Sequence, residues 1–135
     1  MTTHVQARDT IVSLIQPNWT ATYPNVPIYY EDTTAISLDL LGTHFLLVSI
    51  NFTDAIRQDI DPSPTTRLYG EISLRLFSKE GSGVRTTLGF MDYLASLLKY
   101  RLLNGVTLGV AMPGKRVSRD GWTSTDLNVE FSFWG

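Results

Sequence analysis

The sequence predicts an α+β fold: an antiparallel or mixed β-sheet with two main helices packed on one face. Three observations predict it. Residues 44–54, 67–79 and 122–134 alternate apolar and polar side chains with period two. Residues 4–17 and 85–103 instead repeat their apolar side chains at three- and four-residue steps. The order is helix, strands, helix, strands, with turn-rich breaks between them. One-sided alternation marks strands with one dry and one wet face, and separated helices are free to cover the dry one.

The first helix starts after Thr2 or Thr3, either of which can accept a backbone N–H bond as a cap. Val5, Ile11, Val12, Ile15 and Trp19 form its apolar stripe. Pro17 has no N–H to give the ladder, so the helix is expected to fray or stop there. Tyr23-Pro24-Asn25-Val26-Pro27 is a stiff connector, and Ile28-Tyr29-Tyr30 is a short β-favouring strand.

From His44 to Asp54, Leu46, Val48, Ile50 and Phe52 fall on one face, against Leu47, Ser49, Asn51 and Thr53 on the other. Asp59-Ile60-Asp61-Pro62-Ser63-Pro64 reads as a loop. The next strand, from about Arg67 to Lys79, sets Leu68, Ile72, Leu74 and Leu76 against Tyr69, Glu71, Ser73, Arg75 and Phe77. Gly70 sits among the inner positions, where a missing side chain marks a bulge or a close backbone approach. Gly81-Ser82-Gly83 ends the strand.

The second helix is predicted from about Arg85 to Leu103. Leu88, Met91, Ala95, Leu98 and Leu102 share a face, widened by Phe90, Leu94 and Leu97. Asn104-Gly105 tolerates left-handed geometry and is read as its stop. Val106 to Val110 is a weaker strand. Met112-Pro113-Gly114-Lys115-Arg116 reads as a basic turn, and the loop as a whole extends to Asp120. The last strand, Trp122 to Trp134, sets Leu127, Val129, Phe131 and Phe133 against Asp126, Asn128, Glu130 and Ser132.

At 135 residues the expectation is one domain spanning 1–135, with no repeat and no linker. Without cysteine, disulfides, Cys-ligated metal and a cysteine nucleophile are excluded. A formal charge of −2 argues against a domain-wide positive field for nucleic acid. No apolar run approaches a membrane span, and the first residues show no secretory pattern, so an intracellular location is expected.

Chemistry-bearing motifs are sparse. His4 and His44 are the only imidazoles, and no nucleophile elbow accompanies them. Asp54, Asp59 and Asp61 lack the spacing of a calcium loop. The Glu80-to-Arg85 turn lacks the Lys-Ser/Thr pair of a phosphate loop. Lys115, Arg116 and Arg119 form the only basic knot, suited to acids of a neighbouring subunit or to a phosphate backbone, and otherwise simply solvated. Leu47, Tyr69 and Phe77 are apolar on outward strand positions, and Trp134 alternates outward as well. Several such residues on one sheet point to a covered second face, by a loop or by another subunit.

Pro27-Ile28-Tyr29-Tyr30-Glu31 after an amphipathic helix, Arg67-Leu68-Tyr69-Gly70, Phe77-Ser78-Lys79-Glu80-Gly81-Ser82-Gly83 before a long helix, and the closing Trp122 with Leu127-Asn128-Val129-Glu130-Phe131-Ser132-Phe133 form an ordered set. In this set, across nearly its whole length, the chain resembles the small tail terminator proteins of long-tailed bacteriophages, the group that includes the lambda tail terminator. Its motifs are aromatic, glycine and alternation patterns.

The resemblance implies a virion protein of the head-proximal tail end, assembled in the host cytoplasm. It implies a homo-oligomeric, hexameric ring that caps the tail tube, stops its polymerisation and offers a head-joining surface. Its partners would be copies of itself, the major tail tube protein, a head completion or connector protein, and DNA passing non-specifically through the lumen. No membrane, no catalysis, no metal and no cofactor are implied. On this reading Leu47, Tyr69, Phe77, Lys115, Arg116 and Arg119 are the candidate subunit or tube contacts. The alternatives are another neck or tail component (tail completion, minor tail or tube protein) and a small ligand-binding or hydrolytic α+β domain using His44, Asp54 and Glu71.

Overall fold

The computed structural model describes residues 2–31, 44–57, 66–79, 81, 84–119 and 121–134. Its elements are α1 (His4–Thr22), β1 (Ile28–Tyr30), β2 (His44–Arg57), β3 (Thr66–Lys79), α2 (Val84–Leu98), β4 (Val106–Arg119) and β5 (Trp122–Trp134). The five strands form one mixed sheet in the order β1-β2-β3-β5-β4. β1 runs parallel to β2, and every other neighbouring pair is antiparallel. This is the predicted α+β fold.

The inner face of the sheet follows the alternation. Leu46, Val48 and Ile50 of β2 pair with Leu76, Leu74 and Ile72 of β3, and Leu74 and Ile72 pair in turn with Leu127 and Val129 of β5. All are buried, together with Phe131 and Phe133. Gly70 lies between Phe52 and Phe131, beside the register shift at Phe52/Asp54. A Cβ built there would overlap the ring of Phe131 and crowd the Asn51 carbonyl. The glycine thus marks both a bulge and a close approach.

Helix α1 is capped by Thr3, whose Oγ1 accepts from the Gln6 N–H at 3.1 Å while Gln6 Oε1 accepts from the Thr3 N–H at 2.9 Å. Its buried stripe is Ala7, Ile11, Ile15 and Trp19, at four-residue steps. Val5 is exposed and Val12 only partly buried, which corrects part of the predicted stripe. The helix also continues through Pro17 to Thr22. The bond lost is the one to the Ser13 carbonyl, and both residues lie on the exposed side where water can replace it. Burial of Trp19 two residues later holds the last turn, and its Nε1–H donates to the Val26 carbonyl at 3.0 Å.

Trp19, Tyr23, Phe90 and Tyr93 interlock α1 with α2. The ring centroids of Tyr23 lie 4.8 Å from both Trp19 and Phe90. The Tyr93 hydroxyl donates to the Asn18 carbonyl and accepts from Thr22 Oγ1, each at 3.0 Å.

Two predicted boundaries are corrected. α2 ends at Leu98, not near Leu103, and Tyr100 turns the chain with a left-handed φ of 55°. Its buried side is Phe90, Met91, Leu94 and Leu98, whereas Leu88 is exposed and Leu102 is 78% exposed. After Tyr100 the chain is extended: the Tyr100 N–H donates to the Gly109 carbonyl at 2.9 Å, and the Leu108 N–H to the Arg101 carbonyl at 2.8 Å. Asn104-Gly105 therefore forms the tip of a two-residue hairpin, with Leu103 and Val106 exchanging backbone bonds on either side. The same left-handed tolerance serves a helix stop and a hairpin tip, so the dipeptide alone did not decide between them.

The second correction is larger. The predicted basic loop after Val110 is strand: β4 runs unbroken from Val106 to Arg119, with register shifts at Leu108/Ala111 and Pro113/Arg116. Pro113 fits there because β4 is the outermost strand, where a missing N–H need cost no ladder bond. The predicted loop at 59–64 lies outside the described residues, as do residues 82 and 83 of the predicted turn that begins at Gly81.

Candidate functional site

The face of the sheet away from the helices carries an aromatic row at one end. Phe45 and Phe77, opposite each other on β2 and β3, stack with centroids 4.4 Å apart and planes 7° from parallel. Trp122 meets Phe45 edge-on at 5.3 Å, and Tyr29 approaches it from β1 at 6.1 Å. Beside them Arg75 and Asp126 pair across β3 and β5, with Nε donating to Oδ1 at 2.9 Å and Nη2 to Oδ2 at 3.5 Å. This pair is partly exposed, so its stabilisation is small, on the order of 0–1 kcal/mol. It holds the polar rim of a shallow depression of about 280 Å³ lined by Arg75, Phe77, Val117, Trp122, Ser124 and Asp126.

The predicted contact residues separate into three places. Leu47 and Phe77 are half-buried on the outer face near this aromatic row, Leu47 opposite Arg75 and Tyr29. Tyr69 shares the face but lies eight residues along β3 from Phe77, roughly 26 Å away along an extended strand. Near Tyr69, Arg67 lies over the ring of Trp134 at 4.7 Å and donates to Ser132 Oγ at 2.7 Å. Lys115 and Arg116 are exposed on β4, and Arg119 ends that strand opposite Trp122. The depression brings Phe77 together with the far end of β4. Tyr69 is not part of that group.

Phe45, Trp122 and Tyr29 were missed as members of the outer face. Phe45 and Trp122 are buried there. The signal was present, because Phe45 alternates with Leu47, and Trp122 with Ser124 and Asp126. Two exposed apolar residues of β4, Met112 and Val117, were hidden by reading their segment as a loop.

Strand β4 has two unlike stretches. Residues 100–103 bond to the free side of its first four residues, and among the described residues no strand pairs with the free side of residues 110–119. There Met112 is 46% and Val117 51% exposed. The stretch is also strongly cationic. Between Asp92 and Asp120 the sequence has five cations (Lys99, Arg101, Lys115, Arg116 and Arg119) and no carboxylate. The remainder holds the other six cations and all 13 carboxylates.

His44 and Glu71, two of the three titratable groups of the alternative reading, lie on opposite faces of the sheet. His44 lies on the inner face opposite Ser78, its ring centroid 5.3 Å from that of Phe90 in an edge-to-face contact, and burial lowers its pKa. Glu71 lies on the outer face, opposite Asn51 and Glu130. The side chain of Asp54 and residues 59 and 61 are outside the described part. Among the described residues, no group of three His, Cys, Asp or Glu side chains is placed to hold a metal ion. Near β1, burial raises the pKa of Tyr30 against the opposing influence of Arg8. Among the described residues no helix is long and apolar enough to cross a membrane.

No protein-family model matches the sequence, and no curated protein does. Twelve solved chains match the structure. One of them, 14% identical, superposes with a TM-score of 0.71 over 93% of this chain and 92% of its own length. At that identity the likeness is one of fold.

Proposed function

We propose that this chain is a structural subunit of a phage tail: a tail terminator that closes into a ring on the end of the tail tube. The ring stops tube polymerisation and presents a head-joining surface. The observation that carries this reading is the outer half of β4, a backbone edge that no strand pairs among the described residues, with exposed apolar and cationic side chains. Such an edge is a ready template for another chain. The likeness in sequence pattern to tail terminators supplies the kind of assembly. A ring closes by rotation and requires two different patches on each subunit, and the aromatic end of the outer face lies next to this edge as a second contact.

On this reading the partners are further copies of the chain, expected as a hexamer, the major tail tube protein and a head completion or connector protein. DNA passing the lumen would meet cations without sequence preference. The site would be the head-proximal end of the virion tail, reached from the host cytoplasm. No catalytic step belongs to this role.

Electron microscopy of the purified protein, alone and mixed with polymerising tube protein, tests it. Single rings and tubes capped at one end are the expected result. Long cylinders from this chain alone would identify a tube subunit instead, and no association with tube ends would remove the terminator reading.

A further inference from the structure

We infer that the open edge of β4, residues 110–119, is one half of a head-to-tail contact between copies of this chain, the other half being an acidic patch elsewhere on the neighbour. The inference rests on the ring reading and names the surface that builds the ring.

Three features of the edge select its occupant. The backbone left unpaired among the described residues and the exposed Val110, Met112 and Val117 suit a protein surface rather than a phosphate backbone, which would use neither. The charge excludes the simplest pairing. A two-fold contact of β4 with β4 would bring Lys115 and Arg116 of both copies together, and like charges on facing strands are destabilising. Pro113 and the register shift beside it further blunt self-pairing at mid-strand.

The complement is present in the same chain. With five cations and no carboxylate between Asp92 and Asp120, the rest of the sequence carries a net charge of minus seven. A second copy is therefore net acidic outside this stretch, and it complements the edge provided that it presents a different patch. Contacts between unlike patches are heterologous, and they close into rings or extend into filaments. Arg101 lies on the segment that covers the first residues of β4, its backbone carbonyl accepting from the Leu108 N–H, and its side chain is exposed.

The test compares the wild-type chain with a K115E/R116E double variant and a K115R/R116K variant, by native mass spectrometry and light scattering at low and high salt. Both positions are exposed, and unchanged thermal melts establish that the variants fold. The wild type and the charge-preserving variant should form rings that weaken as salt rises, and the charge-reversed variant should lose them. A mixing experiment reads the symmetry. A charge-reversed subunit keeps its other patch, so substoichiometric amounts should poison wild-type rings.

Wild-type rings formed equally well by the charge-reversed variant would overturn the edge assignment while leaving the ring reading standing. So would a two-fold dimer joined through β4. A wild type that stays monomeric in solution at low salt yet caps tube ends would also sink the contact and spare the terminator role. If charge reversal abolishes binding to a duplex oligonucleotide but leaves the rings intact, the edge serves nucleic acid, and the inference fails.

Discussion

Residues 106–109 of β4 lie between two neighbours, β5 on one side and the returning segment 100–103 on the other. Residues 110–119 have β5 alone among the described residues. Val106 and Leu108 are 0% and 1% exposed, whereas every residue from Met112 to Ser118 is exposed. One continuous strand thus begins as core and ends as surface. Strand identity does not fix a residue's energetic role; what lies on its free side does. The comparison separates positions that should govern folding from positions that should govern association.

Substitutions can break that comparison, beginning with the largest effect. Val48→Asp and Val129→Asp each place an unpaired charge in the fully buried sheet core and should unfold the domain, a loss of several kcal/mol, on the order of 3–5. Soluble variants with native circular dichroism would show that the strand register is off by one. Next, Leu108→Ala should cost about 2–5 kcal/mol in urea unfolding, as large-to-small core changes do. Val117→Ala, on the same strand, should stay within about 0.5 kcal/mol. Equal losses would erase the distinction between the two stretches.

Smaller effects sharpen it. Thr3→Ala removes a side-chain cap from α1 and should cost about 1 kcal/mol, measured by the shift in denaturant midpoint. His44 tests the buried end of β2 through pH. Its pKa is lowered by burial, so the unfolded chain binds its proton more readily than the fold does. The stability it contributes is complete above about 6.5, the ordinary histidine value, and is lost as pH falls through that value toward the lower folded one. His44→Phe should flatten this part of the stability profile, and an unchanged slope would remove His44 as its cause. The smallest shift is expected for Lys115, Arg116 and Arg119 replaced together by Ala. The thermal melt should barely move while self-association falls, and a large drop in melting temperature would make the strip part of the fold.

The inner face was legible because Leu46, Val48, Ile50, Ile72, Leu74, Leu127 and Val129 sit at period two in strands with one dry side. The whole of β5, from Trp122 to Trp134, could be read from that pattern. β4 could not. Pro113, Gly114, Lys115 and Arg116 are poor strand formers in isolation, and pairing with β5 on either side of the irregularity at Gly114 and Lys115 outweighs their local preference. For the same reason the candidate site was only partly legible. Phe77 could be assigned to an outer surface from alternation, but its neighbours Phe45 and Trp122 are joined to it by register, which one segment does not carry. The cationic edge needed two facts at once: where the carboxylates stop in the sequence, and that this stretch has no neighbouring strand on one side among the described residues.

Gly70 has a further consequence. Strands rich in leucine, isoleucine and valine can pair at offsets of two residues and still direct the same faces inward. Only one offset seats the phenyl ring of Phe131 over a residue with no side chain, beside the local irregularity in β2. At other offsets that ring would strike a leucine or an isoleucine. The glycine works like the notch of a key: it contributes almost no grip of its own, yet it lets the two strands lock at a single setting.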